Sequence, residues 1–457
     1  MGIGLLVLCS ILTGVVFDQA WLAVATGVGM CAIAWCLTNT FRSLVLYILV
    51  TVVVMFQAPR EGKASMLDLL AGAVMIGLTV YWFVRIRIIE GQAFSVDRLH
   101  MLLVIYFVWS SVVGIFGMWL YGNSANDWLR EMLIQLPLVL MPFLFVRSIK
   151  PGSKEERVIF MLAAIAWIVL IVLNLIHFRN NVLKAVYFYQ TGRTTLDPTA
   201  SILLFFACVS FIAIDTKRSH MKFYIFLSAL ALVTVILASY RTVWATIILI
   251  IPIIYFLSHP KERLMERRYG VRLGMLAIAS LTYAFLKWKL VRLVITNSAE
   301  RFLTTSHVST DHSLVNRYIE WRMLLHSIKA SPLVGYGYGG RYLDYDWLAG
   351  FSMWAAYSHN AFLYVLLKSG ILGFIALFGA FIMLTLRALK LARSSHLQPY
   401  QRAVMRIAFG LSFCLLITSL TLNAMGERNS LLWLGMAWGA VMTYTEHDRN
   451  QALRLGS

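Results

Sequence analysis

The chain has little charge and still less acid. Only 13% of its 457 residues are charged, with 21 Asp and Glu against 40 Lys and Arg. An average soluble domain is about a quarter charged, so an ordinary water-soluble globule is excluded. Cysteine is scarce too. Cys9, Cys31, Cys36, Cys208 and Cys414 all lie inside apolar runs, and none has CxxC spacing. A disulfide framework and a thiolate metal site are therefore not expected, and these residues read as small buried apolar side chains. HExxH, GxSxG and GK[ST] are missing, which argues against zincin, α/β-hydrolase and P-loop chemistry. Also missing is the apolar-polar alternation of a membrane β-barrel.

What the chain does have is hydrocarbon. Hydrophobic residues make up 60% of it, in blocks such as MLAAIAWIVLIVLNLI from Met161 and KFYIFLSALALVTVILAS from Lys222. About 20 such residues cross a bilayer as a helix. The expectation is an all-α polytopic membrane protein with roughly 12 to 14 transmembrane helices and one large helical outer loop. The first run, IGLLVLCSILTGVVF, lacks a basic leader and a small-residue cleavage site and reads as a retained helix.

Basic clusters set the expected orientation. Residues 85–98, 147–157, 217–222, 261–272 and 387–406 occupy every second loop, and with Arg42, Arg449 and Arg454 they hold more than half of the 40 Lys and Arg. The positive-inside rule puts these loops and both termini in the cytoplasm. The chain then divides into helices over 1–290 with a medium outer loop at 178–197, a large outer loop at 291–358, further helices over 359–445, and a cytoplasmic tail at 446–457. Within the large loop, Leu314, Tyr318, Trp321, Leu325 and Ile328 recur at helical spacing, with Ser313 as a cap and Pro332 beyond the end. This predicts an amphipathic helix lying on the membrane-embedded core.

Ionisable groups near hydrocarbon are costly and mark function by default. Arg241 stands between two apolar segments with almost no loop, Arg193 precedes Pro198 at a helix entrance, and Arg317 lies one turn before Trp321. Their bland roles are snorkelling, a solvated loop charge and an arginine–aromatic stack. His359 follows Ser358 at the head of an apolar helix. With Ser358 as N-cap, His359 falls in the first turn, where the positive helix end disfavours imidazolium and a neutral ring suits a general base. Its bland role is an interfacial hydrogen-bonded histidine. Arginine matches phosphate oxygens in a two-pronged way. Arginines gathered beside a neutral base suit transfer from a lipid diphosphate. His307, Asp311 and His312 lack a diagnostic metal spacing and read as solvated polar residues. Lys287, Lys289, Arg292 and Arg301 flank the large loop, where they can meet phosphorylated lipid heads. Nothing calls for a nucleic acid.

The stretches RYIEW, ASPLVGYGYGG and SHNAFLYVLLKSGILG together resemble the O-antigen ligase/polymerase superfamily of bacterial envelopes. The residues that carry the resemblance are Arg317, Trp321, Pro332, Gly335, Gly337, His359, Asn360, Gly370 and Gly373, with Arg241 in a Ser-Arg-like helix entrance interrupted by Tyr240. Arg193 stands in the place of a further family arginine, although Leu196 and Thr199 depart from the pattern there. The resemblance spans roughly residues 190–375. It implies a metal-independent, cofactor-free glycosyltransferase of the bacterial inner membrane, acting on the periplasmic side with an undecaprenyl-diphosphate-linked glycan donor. In this reading His359 and Arg241 are catalytic, and Arg193, Arg317, Asn360, Trp321, Tyr336 and Arg341 bind substrate. One large and one modest outer loop favour a ligase with lipid A–core as acceptor. A polymerase extending lipid-linked repeat units is the alternative, and a transporter or flippase of anionic lipid-linked substrates is the third reading.

Overall fold

The computed structural model describes residues 31–55 (except 32), 66–92, 96–182, 199–214, 220–237, 241–258, 312–346, 350–456 and isolated positions between 263 and 296. The expected first helix, the segment at 273–290 apart from a few positions, His307, Asp311 and Arg193 lie outside these residues.

Helices follow the apolar runs closely. They are α1 (Thr40–Met55), α2 (Met66–Phe83), α3 (Arg98–Tyr121), α4 (Ala125–Ser148), α5 (Lys154–Val182), α6 (Thr199–Ile214), α7 (Met221–Leu237) and α8 (Arg241–Leu257), then α9 (His312–Ala330), α10 (Ala361–Ala392), α11 (Pro399–Thr418) and α12 (Arg428–Gly456). Among the described residues six helices are long and apolar enough to cross a membrane, and four shorter apolar ones accompany them. This is an all-α polytopic membrane protein. The last helix is not one of the six and continues through 446–456, the stretch read as a tail. Its apolar face is buried against α4, where Gly435 and Gly439 let the backbones approach Pro137 and Phe145. Small residues play this part in membrane bundles because backbones can then pack at short range. Cys36, Cys208 and Cys414 are buried as expected, whereas Cys31 is exposed.

Side-chain bonds tie several helix ends into one layer. Trp244 in the first turn of α8 donates to the Val235 carbonyl, Thr234 meets Ser201, and Thr199 meets Ser430. The start of α10 joins the end of α11 through Ala361 N–H to Ser419 O at 2.9 Å. This is the site end. At the opposite, basic end, Arg387 pairs with Asp97 and Ser394 bonds Asp448.

The loop helix α9 exists, but its buried face is not the one expected. Tyr318 and Leu325 are exposed, while Glu320, Leu324 and Ile328 are buried. The apolar stripe left Glu320 out because carboxylates almost never bury unpaired. Here it is paired. The helix also begins at His312, one residue before the expected cap Ser313. A β-hairpin that the sequence reading missed follows, with β1 (Tyr342–Asp346) antiparallel to β2 (Phe351–Ala355) and Leu343 opposite Trp354.

Between α9 and the hairpin, the turn 332–340 inserts into a break in α10. Gly370 has φ 62° and ψ −171°, a conformation that is essentially glycine-only. The break leaves carbonyls and an N–H without helical partners. Tyr336 N–H donates to Leu367 O at 2.7 Å, Gly337 N–H to Lys368 O at 3.0 Å, and Ile371 N–H to Pro332 O at 2.9 Å. The break lies roughly 14 Å along the helix from Ala361 at 1.5 Å per residue. Irregular backbone at that depth is tolerated only when protein satisfies it. A side chain at Gly370 would meet Leu333 O at 2.2 Å, and one at Gly335 would meet Gly370 N at 2.7 Å.

Gly370→Ala and Gly335→Ala should each cost about 3 kcal/mol or more, read as a lower melting temperature in detergent. Gly379→Ala in the same helix meets nothing within 4 Å and should leave the melting temperature unchanged or slightly raised. Equal behaviour of all three would remove the interlock from the account.

Candidate functional site

The centre of the site end is a histidine–carboxylate pair. His359 is the next-to-last residue before α10, and its ring Nδ1 lies 3.1 Å from Glu320 Oε2. Its backbone N–H donates to Glu320 Oε1 at 2.8 Å. The Tyr342 hydroxyl sits between Glu320 Oε1 and the Tyr357 carbonyl, 3.0 Å from each. The carboxylate is only 4% exposed while the histidine side chain is 43% exposed. One face of the ring pair is therefore held by protein and the other is open.

The electrostatics follow from these bonds. Burial by itself pushes the Glu320 carboxyl up, but the His359 ring, its backbone N–H and the Tyr342 hydroxyl outweigh that and hold it below the ordinary glutamate value. An ionised carboxylate can only accept. The proton of a neutral His359 ring must then sit on Nδ1, which leaves the Nε2 lone pair bare as a base. Asp344 on β1 is pushed up, first by burial and then by the charge of Glu320. Burial and the same charge raise the Tyr342 phenol, which stays a neutral donor.

The N-cap differs from the expectation. Asn360, not Ser358, caps α10, its Oδ1 accepting from Leu363 N–H at 3.0 Å and its Nδ2 donating to Leu420 O at 3.2 Å. Ser358 Oγ instead accepts from Asn360 N–H. His359 thus lies before the first turn, and Glu320 rather than the helix end governs its ring. Both ends of the Asn360 amide are engaged in these bonds. The reason is geometric: an extended residue beside α11 has the Leu420 carbonyl within reach.

The other candidates divide. Arg317 and Trp321 lie on α9 beside Glu320, three residues before it and one after, and both are half-buried. The Trp321 indole N–H is buried and meets no acceptor among the described residues. Arg241 opens α8 at the site end, the end that holds His359. Arg341 is committed to Asp127 at 2.7 Å. Tyr336 is built into the turn: its carbonyl accepts from Asn123 Nδ2 at 2.7 Å and its ring packs on Tyr121. Both anchor the turn to α3 and α4.

Sequence reading missed three charged residues. Glu320 stood in the sequence as one loop carboxylate among several, with no role of its own. Lys368 and Glu131, on different helices, form a fully buried pair, with Lys368 Nζ 2.9 and 2.8 Å from the two carboxylate oxygens. Lys368 also donates to Gly340 O, and Gly339 N–H donates to Glu131 Oε2 at 2.7 Å. The pair clamps the turn that fills the break in α10. The available signal was a lone lysine in FLYVLLKSGILG and a lone glutamate in DWLREMLIQL, each costly inside a membrane segment unless matched.

Comparison with known proteins bears on this arrangement. Residues 226–378 match the family model described as O-antigen ligase. The chain carries an O-antigen ligase superfamily domain. The matched span runs from α7 into α10 and takes in Arg241, Arg317, Glu320, the inserted turn, His359 and Gly370. It leaves out α3 and α4, so the Glu131 and Asp127 anchors come from outside the domain. No curated protein matches the chain. The match supports an assignment to that superfamily, a group of glycosyltransferase-like enzymes of cell-surface glycan biosynthesis, and the apolar helices suit a multi-pass membrane protein.

Lys368→Met should cost about 3–5 kcal/mol by stranding the Glu131 charge. Adding Glu131→Leu should recover a large part of that loss, read in thermal unfolding of the two variants. A folded-state carboxyl held below its unfolded value adds stability that is complete above the unfolded value and is lost as pH falls through the folded one. Acidification from about pH 5 to about pH 3 should therefore lower the melting temperature, with a shallower fall in Glu320→Gln.

Proposed function

We propose that this protein is an O-antigen ligase: an inverting glycosyltransferase that moves a glycan from undecaprenyl diphosphate to lipid A–core at the periplasmic face of the inner membrane. The observation that carries the reading is the oriented His359–Glu320 pair, open on one side, inside the O-antigen ligase domain.

In this mechanism the acceptor hydroxyl approaches His359 Nε2 and gives up its proton as its oxygen attacks the anomeric carbon. The glycosyl–oxygen bond to the diphosphate breaks in the same step, and the lipid diphosphate departs with the bonding electrons. Glu320 stabilises the imidazolium as it forms. Arg241 and Arg193 hold the leaving diphosphate, with Arg317 assisting from α9, because guanidinium forks fit phosphate oxygens and neutralise developing charge. Trp321 offers its indole N–H as a further donor. Direct displacement inverts the anomeric configuration. The basic loops at the end remote from His359, which include Arg147, Arg157 and Arg387, support an outward-facing site under the positive-inside rule.

The test is a purified-component assay with lipid-linked glycan and lipid A–core, without nucleotide. His359→Ala should lower transfer on the order of 10²–10⁴-fold. Glu320→Gln should lower it by about 10- to 100-fold, the loss of one charged hydrogen bond to the base. Wild-type transfer rates in both variants would sink the proposed mechanism. Growth of the glycan on its lipid carrier, with nothing passed to lipid A–core, would assign the polymerase reaction instead.

A further inference from the structure

Far from His359 the bundle carries a second feature. A lateral groove of about 610 Å³ opens between α5, α6, α7 and α11. Its walls are helical stripes that run from the basic end inward, from Arg157 to Ile168 on α5 and from Ile214 back to Leu204 on α6. Eleven steps on α5 span roughly 16 Å, about half of the hydrocarbon thickness. The floor is apolar, with Trp167, Leu204 and Leu227 buried. At the mouth, on the basic end, Arg157, His220 and Tyr400 line the opening.

Arg157 is exposed and forms no ion pair among the described residues. The adjacent Glu156 is turned inward and engaged by the Gly152 N–H and the Tyr444 hydroxyl, within electrostatic reach of Arg157 and Tyr400. Lys154 and Lys222, both exposed, stand near the same helix starts, with Glu155 the exposed acid among them. The local balance is cationic. A volume of this size matches an ordinary small-molecule site. A basic mouth over an apolar trough at the cytoplasmic side of a helix bundle matches the headgroup and chain of an anionic lipid.

We propose that this groove is a binding site for one anionic glycerophospholipid of the leaflet at the basic end. Its phosphate sits at Arg157 and His220, and an acyl chain lies along the trough between α5 and α6. The chain supplies the apolar contact and the arginine the preference over a zwitterionic lipid. The site is separate from the His359 pair, and the inference does not rest on the glycosyl-transfer reading. A snorkelling arginine over a trough filled by bulk lipid would show no headgroup preference.

The full-length protein, purified in detergent and equilibrated with equal amounts of phosphatidylglycerol and phosphatidylcholine, is read by native mass spectrometry. One phosphatidylglycerol should be retained over phosphatidylcholine by about fivefold or more, the contribution of one basic residue at a membrane surface. Arg157→Gln, an exposed substitution that leaves packing intact, should abolish the preference, and Arg157→Lys should keep most of it. Ala164→Trp, which fills the trough, should remove the retained lipid. Equal retention of the two lipids by the wild type would overturn the proposal. So would a preference unchanged in Arg157→Gln, or displacement of phosphatidylglycerol by an added polyprenyl phosphate.

Discussion

The structure depends on one repair. Helix α10 breaks at Gly370, and the turn 332–340 supplies the partners that the break removes. Exposed backbone groups at that depth would each cost several kcal/mol in lipid, so the turn cannot leave without a penalty. The Lys368–Glu131 pair adds a second lock, with the ammonium held by two carboxylate oxygens and the Gly340 carbonyl. Because the turn is pinned, the elements on either side of it are pinned as well. Helix α9 lies before it and the hairpin after it. These deliver Glu320 and Tyr342 to His359, which stands at the head of the same broken helix.

That connection explains why a long loop can hold a side chain with precision. A catalytic base needs its orientation set to within a fraction of an ångström, and loops are ordinarily the most mobile parts of a protein. Here the large loop is tied into the bundle by backbone hydrogen bonds, by Arg341 to Asp127, and by the apolar cluster of Leu324, Ile328, Tyr342 and Leu367. Glu320 sits on the buried face of α9 within that cluster. A carboxylate accepting both N–H groups of one histidine orients the ring and settles its tautomer together.

The two ends of the bundle differ in character. One gathers the histidine pair, an unpaired indole N–H, the entrance of α8 and an exposed aromatic hairpin. The other carries Arg147, Arg157 and Arg387 and the apolar trough. This charge asymmetry sets the histidine pair and the trough at opposite ends of the bundle.

Much of the fold was legible before any coordinates. Apolar runs located the membrane helices because hydrocarbon admits only self-satisfied backbone, and the runs from Met161 and from Lys222 form the middle of α5 and nearly all of α7. His359, the glycines of the turn and Gly370 were visible as a pattern. Local periodicity, however, says nothing about which distant group meets which. It misassigned the buried face of α9 by following apolar residues alone, passed over the hairpin, and gave the cap of α10 to Ser358. Lys368 and Glu131 each looked anomalous alone, and only the approach of α4 to α10 makes them a pair. The linear chain by itself determined where helices run and which residue types collect at one face, since both follow from transfer to lipid along a single segment. Three-dimensional packing decided which carboxylate holds the histidine and which turn completes the broken helix, because those bonds join residues far apart in the chain and exist only once the segments meet.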